Sequence, residues 1–210
     1  MASPPNDHRP NDLRRAPAAE RNRVPILEVL RRVLPADAFI LEIASGTGEH
    51  AAWMAPQLDG VTWQPSDSDA ELRASITART REDGAGSVLP PLAVDAHDAD
   101  WTVTRKLDAV FCANMIHIAP WSACEGLMAG AGRHLAAGGL LILYGPFQRG
   151  GRHTAPSNAE FDANLKRQNP EWGVRELERV AEAARTNGLE LSEIIDMPAN
   201  NLTLIFRKPC

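Results

Sequence analysis

The chain has 210 residues, of which 44% are hydrophobic, and a formal net charge of −5 at pH 7. This length suits one domain with one sizeable core, and the acidic balance argues against a nucleic-acid-binding surface. The three cysteines, Cys112, Cys124 and Cys210, are far apart, which argues against disulfides or a zinc site and favours a reducing, cytoplasmic location. The longest apolar run, Leu140 to Tyr144, is far shorter than the ~20 residues of a membrane span.

The N-terminal region divides into a tail and a first helix. Residues 1–17 are rich in Pro, Asn, Asp and Arg and are predicted to form a disordered tail, so a single folded domain is expected over 18–210. Pro25 suits the first turn of a helix. The residues after it repeat apolar side chains at helical spacing up to Pro35, which predicts an amphipathic helix there.

From residue 39 onward, strand-like and helix-like segments alternate. The pattern predicts helices near 49–57, 70–82, 121–135 and 174–186, and strands near 39–43, 61–64, 89–94, 107–113 and 140–144. Strands separated by helix-length segments are typical of crossover units and a parallel sheet.

The last two strand-like runs break this rhythm. They lie near 189–195 and 202–207, and the joint between them is too short for a crossover helix. These strands are therefore predicted to be antiparallel neighbours. The fold class predicted is α/β, a doubly wound, mostly parallel, Rossmann-like sheet with an antiparallel last strand.

The stretch 39–50 is the most informative in the chain. Its apolar run ends at Gly46 and Gly48, which predicts a buried strand, a tight turn and a helix whose free N–H groups face a ligand. Asp67 follows the next apolar run, where an acid can accept the hydroxyls of a nucleotide ribose. Together these features predict an adenosine-type cofactor.

Charge helps to choose the cofactor. The same turn also fits the dinucleotide fingerprint G-x-G-x-x-A, so spacing alone leaves a nicotinamide cofactor open. Residues 33–72 contain no Lys or Arg but several acids, including Glu42 inside a buried strand. This negative field opposes a pyrophosphate and favours the cationic S-adenosylmethionine.

The element order and motifs resemble class I S-adenosylmethionine-dependent methyltransferases and, more closely, the family of methyltransferase-like 26. The segments that carry the resemblance are AAERNR (18–23), LEIASGTG (41–48), WQPSD (63–67), FCANMIHIAPW (111–121), YGPF (144–147), HTAPSN (153–158) and MPANNL (197–202). The resemblance implies a seven-stranded sheet with a reversed terminal strand and a cofactor at the carboxyl ends of the early strands.

The same resemblance implies roles for individual residues. Asp67 would accept both ribose hydroxyls, and Asp95 would face the adenine amino group together with the backbone of Ala96. The alternative for Asp95 is a turn or helix-capping acid. The residues expected to lie on the methionine part are Ala44, Ser45, Gly46, Thr47 and Gly48, and Glu42 is a further cofactor-binding candidate.

Asn114 and His117, which follow the fourth predicted strand, are the candidates for catalysis. Asn114 would meet both cofactor and substrate and hold an amine or hydroxyl in line with the methyl group, or it only caps a turn. His117 would act as a general base, or it is hydrogen-bonded inside the core. Trp121 and Tyr144 would line the same mouth, although both also suit the core.

A basic segment between 145 and 170 is interpreted as a lid. Arg152 and His153 lie there beside Arg149, and a solvated basic loop is the alternative. Arg21 or Asn22, ahead of the predicted first helix, would bind a carboxylate. An anionic small molecule is therefore the expected substrate.

The function predicted is methyl transfer from S-adenosylmethionine to nitrogen or oxygen of a small molecule. A non-catalytic protein that binds the cofactor and an NAD(P)-dependent oxidoreductase are the alternatives. The sequence predicts neither a nucleic-acid nor a membrane partner, and it leaves the oligomeric state open.

Overall fold

The computed structural model describes residues 16–82 and 86–210, so the predicted tail, 1–17, lies almost wholly outside the described residues. The helices are α1 (Pro17–Val33), α2 (Glu49–Met54), α3 (Ala70–Glu82), α4 (Trp121–His134), α5 (Pro156–Gln168) and α6 (Leu177–Thr186). The strands are β1 (Phe39–Glu42), β2 (Thr62–Pro65), β3 (Leu107–Ala113), β4 (Leu135–Gly145), β5 (Phe147–Arg149), β6 (Arg152–His153), β7 (Arg175–Glu176), β8 (Glu190–Met197) and β9 (Asn201–Arg207). Three short 3-10 segments follow α2, β3 and β8, at Ala55–Gln57, Met115–His117 and Pro198–Asn200.

The main sheet has six strands in the order β2-β1-β3-β4-β9-β8. Its first four strands pair in parallel, whereas β9 runs antiparallel to both β4 and β8. The predicted fold class and the reversed C-terminal strand are confirmed.

The third predicted strand, near 89–94, does not form a ladder. Within the described residues this segment makes only two isolated bridges, from Val88 to Trp63 and from Leu92 to Ser66. Pro90 and Pro91 separate the bridges, and neither proline has an N–H to donate. The segment that would be the seventh strand is therefore an irregular edge of the sheet beside β2.

The first helix is longer than predicted. It begins at Pro17, and Pro25 lies inside it rather than in its first turn. Pro17 suits the start of a helix, and the alanines that follow it have high helix propensity. The helix therefore includes Arg21 and Asn22, which were expected ahead of it.

Helices cover both faces of the sheet. Along β1, Ile40 packs with α1 and α2, while Leu41 on the opposite face packs with α4 and α6. Neighbouring residues of a strand point to opposite faces, so a strand buried on both faces is continuously apolar. This three-layer arrangement leaves the carboxyl edge of the parallel strands free for a ligand.

The segment after β4 is more structured than the predicted loop. It contains β5, β6 and α5, and β7 completes a small three-stranded sheet in the order β6-β5-β7. This unit lies beside the carboxyl end of β4. Within 16–82 and 86–210, no helix combines the length and apolar character needed to cross a bilayer.

Candidate active site

A cavity of about 650 Å³ lies at the carboxyl ends of β1, β3 and β4. Its size is typical of small-molecule sites. Residues of α1, of α5 and of the β8–β9 turn supply the remaining walls. The lining residues are Ala16, Ala18, Ala19, Arg21, Asn22, Pro25, Ala44, Ser45, Gly46, Thr47, Glu49, His50, Ala113, Asn114, Ile118, Tyr144, Pro146, Ser157, Asn158, Phe161, Pro198, Ala199, Asn200 and Asn201.

The glycine turn after β1 forms one wall. Gly46 and Gly48 both have left-handed backbones, with φ of 57° and 82°. A Cβ on Gly48 would stand 2.9 Å from the Cα of Ile76 in α3, so the close packing of the turn on this helix requires glycine. No atom lies within 4 Å of a Cβ built on Gly46, which therefore leaves its backbone open to a ligand.

Asp67 lies directly behind this turn. Its Oδ2 atom accepts the N–H of Gly46 at 3.0 Å, and its Oδ1 atom accepts the N–H of Asp69 at 3.0 Å. Burial raises the pKa of this carboxyl, although the two N–H groups act in the opposite direction. A carboxylate oxygen accepts more than one hydrogen bond, so Asp67 can still receive hydroxyl groups.

Glu49, at the start of α2, presents a carboxylate to the cavity. Its Oε1 atom accepts the N–H of Ala16 at 2.9 Å and lies 3.4 Å from a guanidinium nitrogen of Arg79. The buried Oε2 atom has no hydrogen-bond partner among the described residues. This oxygen is therefore available to a hydrogen-bond donor from a ligand in the cavity.

Asn114 and Tyr144 form the opposite wall. Asn114 follows β3, and Tyr144 is the next-to-last residue of the neighbouring strand β4. The N–H of Asn114 donates to the carbonyl of Tyr144 at 2.8 Å. Asn114 has a left-handed backbone with φ of 63°, as does Ala44 across the cavity with φ of 55°. Left-handed residues other than glycine store strain and cluster at ligand sites.

The pairing of β1 with β3 brings these two walls together. Residues 44–47 of the predicted cofactor turn and the predicted catalytic residue Asn114 therefore share one cavity, which Arg21, Asn22 and Tyr144 also line. The structure thus brings eight of the seventeen predicted site residues to one cavity, whereas Gly48 and Asp67 do not line it.

A family model described as a protein of unknown function, DUF938, matches residues 13–208. The chain belongs to this family. Because the DUF938 description names no activity, the function of this member has to be argued from its site.

Solved structures share the fold. An O-methyltransferase family protein from Burkholderia thailandensis superposes with a TM-score of 0.75 at 17% identity, over 89% of this chain and 56% of that one. The S-adenosylmethionine-dependent methyltransferase SibL gives 0.76 at 16% identity, over 92% and 56%. CalO1, a methyltransferase in calicheamicin biosynthesis solved with SAH bound, gives 0.69 at 16% identity, over 90% and 54%.

These likenesses confirm the methyltransferase-type fold predicted for this DUF938 protein. Their identities are too low to transfer an activity or a substrate. The chain also spans only a little over half the length of these three proteins.

Glu42 lies behind the cavity wall rather than in it. Its carboxylate is 2% exposed, accepts the indole N–H of Trp63 at 3.1 Å and lies 3.5 Å from the ring of His50. Glu42 reaches the cavity only through His50, which lines it, and the role of Glu42 toward the cofactor remains a prediction.

His117 is enclosed in the core. Its Nδ1 atom accepts the N–H of Arg175 at 3.3 Å, and its buried Nε2 atom has no partner in the described part of the chain. Desolvation lowers the pKa of this imidazole from 6.5 to about 3. The structure thus does not bring His117 to the cavity as a base, and the alternative of a structural histidine fits its position.

Trp121 and Asp95 also lie outside the cavity lining. The ring of Trp121 lies under the guanidinium of Arg179 at 3.9 Å, which fixes it on α4 against α6. Asp95 is half exposed and accepts both the N–H and the ring nitrogen of His97. This is the turn geometry named as its alternative, and the roles of Asp95 and Ala96 toward adenine remain predictions.

The predicted basic lid does not assemble. Arg149 pairs with Asp196 at 3.5 Å, and His153 pairs with Asp162 at 3.5 Å. Arg152 is exposed, and none of these three cations lines the cavity. Of the expected basic cluster, only Arg21 does so.

Several lining residues were not predicted. Ile118 and Phe161 place large apolar side chains, 46% and 38% exposed, in the cavity lining. Asn158 donates to the carbonyl of Asn200 at 2.9 Å and so ties α5 to the β8–β9 turn. Segments 153–158 and 197–202 were part of the family resemblance, which was the one signal that could have placed them here.

Proposed function

We propose that the protein is an S-adenosylmethionine-dependent methyltransferase that acts on nitrogen or oxygen of a small molecule. The observation that carries the proposal is the single cavity shared by the glycine turn after β1 and by Asn114 and Tyr144. It offers one wall for a cofactor and another for an acceptor. S-adenosylmethionine, when bound, supplies an electrophilic methyl group and leaves as the neutral thioether S-adenosylhomocysteine.

The residues present fit this cofactor. The open backbone at Gly46 suits a ligand lying on the turn, and Asp67 behind it can accept ribose hydroxyls. The unpaired Oε2 atom of Glu49 suits the ammonium of the methionine part. These groups would hold the two ends of the cofactor.

The same carboxylate opposes the nicotinamide alternative. Glu49 is 4% exposed and stands at the N-terminus of α2, where a dinucleotide places its pyrophosphate. Two negative groups sharing a desolvated position repel each other strongly. Glu49 thus favours a cationic ligand.

We also propose that the protein is related to the family of methyltransferase-like 26, because the segments that carry this resemblance supply most of the cavity wall. A cytoplasmic location is part of the proposal too. Cys112 and Cys124 are buried free thiols, which suits a reducing compartment.

The proposed substrate is a small molecule with an apolar body. Ile118, Phe161 and Pro146 supply apolar surface beside the proposed acceptor wall. Arg21 is the cation expected to bind an anionic group, because Arg149 and His153 already have acidic partners. No nucleic-acid or membrane partner is proposed.

The decisive experiment is calorimetric titration with S-adenosylmethionine, S-adenosylhomocysteine and NADH. Both adenosyl ligands should bind and NADH should not. Glu49→Gln should weaken both roughly tenfold, because a hydrogen bond to a charged group contributes about 1.5–3 kcal/mol. Glu28→Gln, at an exposed position of α1, is the matched control.

Turnover is tested separately. A panel of small molecules is screened for release of S-adenosylhomocysteine, and Arg21→Ala and Arg152→Ala are compared on each substrate found. Arg21→Ala should lose activity on anionic substrates, whereas Arg152→Ala should retain it. NADH binding alone would overturn the proposal, and cofactor binding without any turnover would indicate a non-catalytic protein.

A further inference from the structure

A second group of interacting side chains lies outside the cavity, where α4 packs on the turn at 95–98. The ring of His97 stands between two partners. Its Nδ1 atom lies 2.6 Å from Oδ1 of Asp95, and its Nε2 atom lies 3.0 Å from Oγ of Ser122. Both distances are those of hydrogen bonds. A serine, a histidine and an aspartate are therefore connected in that order.

The carboxylate of Asp95 determines which nitrogen of the ring carries the proton. The backbone N–H of His97 donates to Oδ1 of Asp95 at 2.9 Å, and this bond, together with the contact to the ring, holds the pKa of the carboxyl below its ordinary value. Asp95 is therefore ionised at neutral pH and accepts the proton on Nδ1. In the neutral ring Nε2 is then an acceptor, so the hydroxyl of Ser122 donates to it.

Gly126 allows α4 to come this close to the turn. A Cβ on Gly126 would stand 2.5 Å from the carbonyl oxygen of Ala96, so the contact between the helix and the turn requires glycine. Gly126 lies four residues after Ser122 and therefore on the same face of α4. The close packing at Gly126 thus brings the hydroxyl of Ser122 to the ring of His97.

Ser122 is also the second residue of α4, a helix of 14 residues. The N–H of Ala123 donates to the carbonyl of Pro120 at 3.0 Å, whereas the N–H groups of Trp121 and Ser122 have no partner in the described part of the chain. Unpaired N–H groups at the start of a helix stabilise negative charge. An oxyanion on a carbon bonded to Oγ of Ser122 would therefore have donors beside it.

We propose that Ser122 is the nucleophile of a second activity, the hydrolysis of small esters, with His97 as its general base and Asp95 as the residue that positions His97. The same order of side chains activates serine in hydrolases of unrelated folds, where geometry rather than sequence position identifies it. None of the three residues lines the cavity described above, so the inference does not depend on the proposed methyltransferase function. Ser122 and His97 are exposed, and the substrate is accordingly a small ester that reacts at the surface.

The reaction has two steps. In the first, Oγ of Ser122 bonds to the carbonyl carbon of the ester and its proton passes to Nε2 of His97, and the bond to the leaving alcohol breaks as the alcohol takes that proton. In the second, water gives a proton to His97 and attacks the acyl group, and Ser122 leaves with the proton from His97. The products are one carboxylic acid and one alcohol, and the protein returns to its starting state.

The reactivity of Ser122 is tested with a fluorophosphonate and mass spectrometry of the protein and its peptides. Oγ of an activated serine bonds to phosphorus and fluoride leaves with the proton, whereas an ordinary serine hydroxyl is too weak a nucleophile. One equivalent should be bound, on the peptide that carries Ser122. Ser122→Ala should abolish the labelling, and Ser68→Ala, at another exposed serine, should leave it unchanged. A parent chain without a label on Ser122 would overturn the inference.

Turnover is measured with p-nitrophenyl acetate, from the release of p-nitrophenolate. Ser122→Ala and His97→Gln should each lower the rate at least about a hundredfold, which is the contribution that a positioned general base makes. Ser68→Ala is again the control. Mass spectrometry of the parent protein during turnover should find the acetyl group on Ser122. Equal rates in the parent and Ser122→Ala, or acetyl groups on other residues alone, would overturn the inference.

The positioning role of Asp95 is tested with Asp95→Asn and Asp95→Glu on the same ester. The amide of asparagine can donate to Nδ1 of His97, which favours the ring with its proton on Nε2, where it cannot accept from Ser122. Asp95→Asn should therefore lower kcat at least about tenfold with little change in KM, and Asp95→Glu should restore part of the rate. If Asp95 only stabilised the turn, Asp95→Asn would lower the unfolding midpoint and leave kcat of the folded protein unchanged, which would overturn its assignment.

Discussion

Asp67 and Gly46 are joined by a hydrogen bond of 3.0 Å, from the backbone N–H of the glycine to Oδ2 of the acid. The bond fixes the glycine turn after β1 against the segment after β2. Desolvation raises the pKa of Asp67 above its ordinary 3.8, so the ionised form weakens the fold at neutral pH. A perturbed carboxylate held at such a position is typical of a ligand site.

Asp67→Asn should lower the affinity for the cofactor while leaving the free energy of unfolding nearly unchanged. We expect S-adenosylmethionine affinity to fall roughly tenfold to a hundredfold, because a charged acceptor of hydroxyl groups is lost. The raised pKa means that ionisation costs stability as pH rises through the folded-state pKa, and the amide removes this cost. The amide has one oxygen, however, and so loses one of the two backbone hydrogen bonds that Asp67 accepts. Because these two effects oppose each other, the free energy of unfolding at neutral pH should change little.

Calorimetry and urea unfolding measure these two quantities. Asp59→Asn, at an exposed position, is the control for the loss of one charge. If Asp67→Asn keeps full affinity, the ribose contact is wrong.

His117 should make the protein sensitive to mild acid. Its pKa is lowered to about 3 by burial, whereas the imidazole of the unfolded chain titrates near 6.5. The unfolded state therefore gains a proton as pH falls through about 6.5, and the folded state does not. Stability should fall progressively from there toward pH 3.

His117→Gln should reduce this loss. The measurement is urea unfolding at about pH 7 and at about pH 5, in the parent and the variant. His97→Gln, at an exposed position, is the control. Identical pH dependence in the parent and His117→Gln would show that His117 does not stay neutral in the fold.

Gly145 should not tolerate a methyl group. A Cβ there would stand 2.5 Å from Nε2 of His117 and 3.3 Å from Oδ1 of Asn114. Gly145→Ala should therefore lower the free energy of unfolding by about 1–3 kcal/mol, as overpacking of a core does.

Gly86→Ala is the matched control for that substitution, because no atom lies within 4 Å of its built Cβ and its φ is not left-handed. The two variants are compared by urea unfolding. Equal midpoints would show that His117 moves aside without cost.

Arg175 should stabilise the segment that follows Asn114. Its guanidinium donates to the carbonyls of Ile116, Ala119 and Glu171 at 2.8, 2.6 and 2.9 Å. A lysine cannot reproduce this fork, so Arg175→Lys should lower the free energy of unfolding by about 1–3 kcal/mol.

Arg185→Lys is the comparison for Arg175→Lys, because Arg185 makes an exposed ion pair with Glu182, and such pairs contribute little. Thermal unfolding of both variants gives the result. A similar small effect in both would mean that the carbonyl contacts of Arg175 are dispensable.

Local pattern was sufficient to predict much of the fold. Continuous apolar runs identified β1 and β3, helical spacing and turn residues bounded α3 and α4, and the short joint before β9 required a reversed strand. The glycine turn and Asn114 could be placed because each follows a strand in the chain. The carboxyl ends of neighbouring parallel strands then meet in space.

Features that depend on distant partners could not be predicted in this way. The basic lid was inferred from charge alone, but Asp196 and Asp162 neutralise its members from other elements. The burial of His117 depends on Phe147, whose ring it meets edge-on at 5.0 Å. The role of His50 could not be predicted either. Its partner Asn22 lies in the part of α1 that was not predicted to be helical.

The walls of the cavity come from both ends of the described chain, from α1 to the turn before β9. Its residues therefore converge only when almost the whole sequence has folded. A ligand held there binds the native state and not the unfolded chain, so its binding free energy adds to global stability. The increase in unfolding temperature that the ligand causes should then rise with the logarithm of ligand concentration. Hydrogen exchange should slow across the central strands as well as at the site, which offers a search for ligands that needs no assay of turnover.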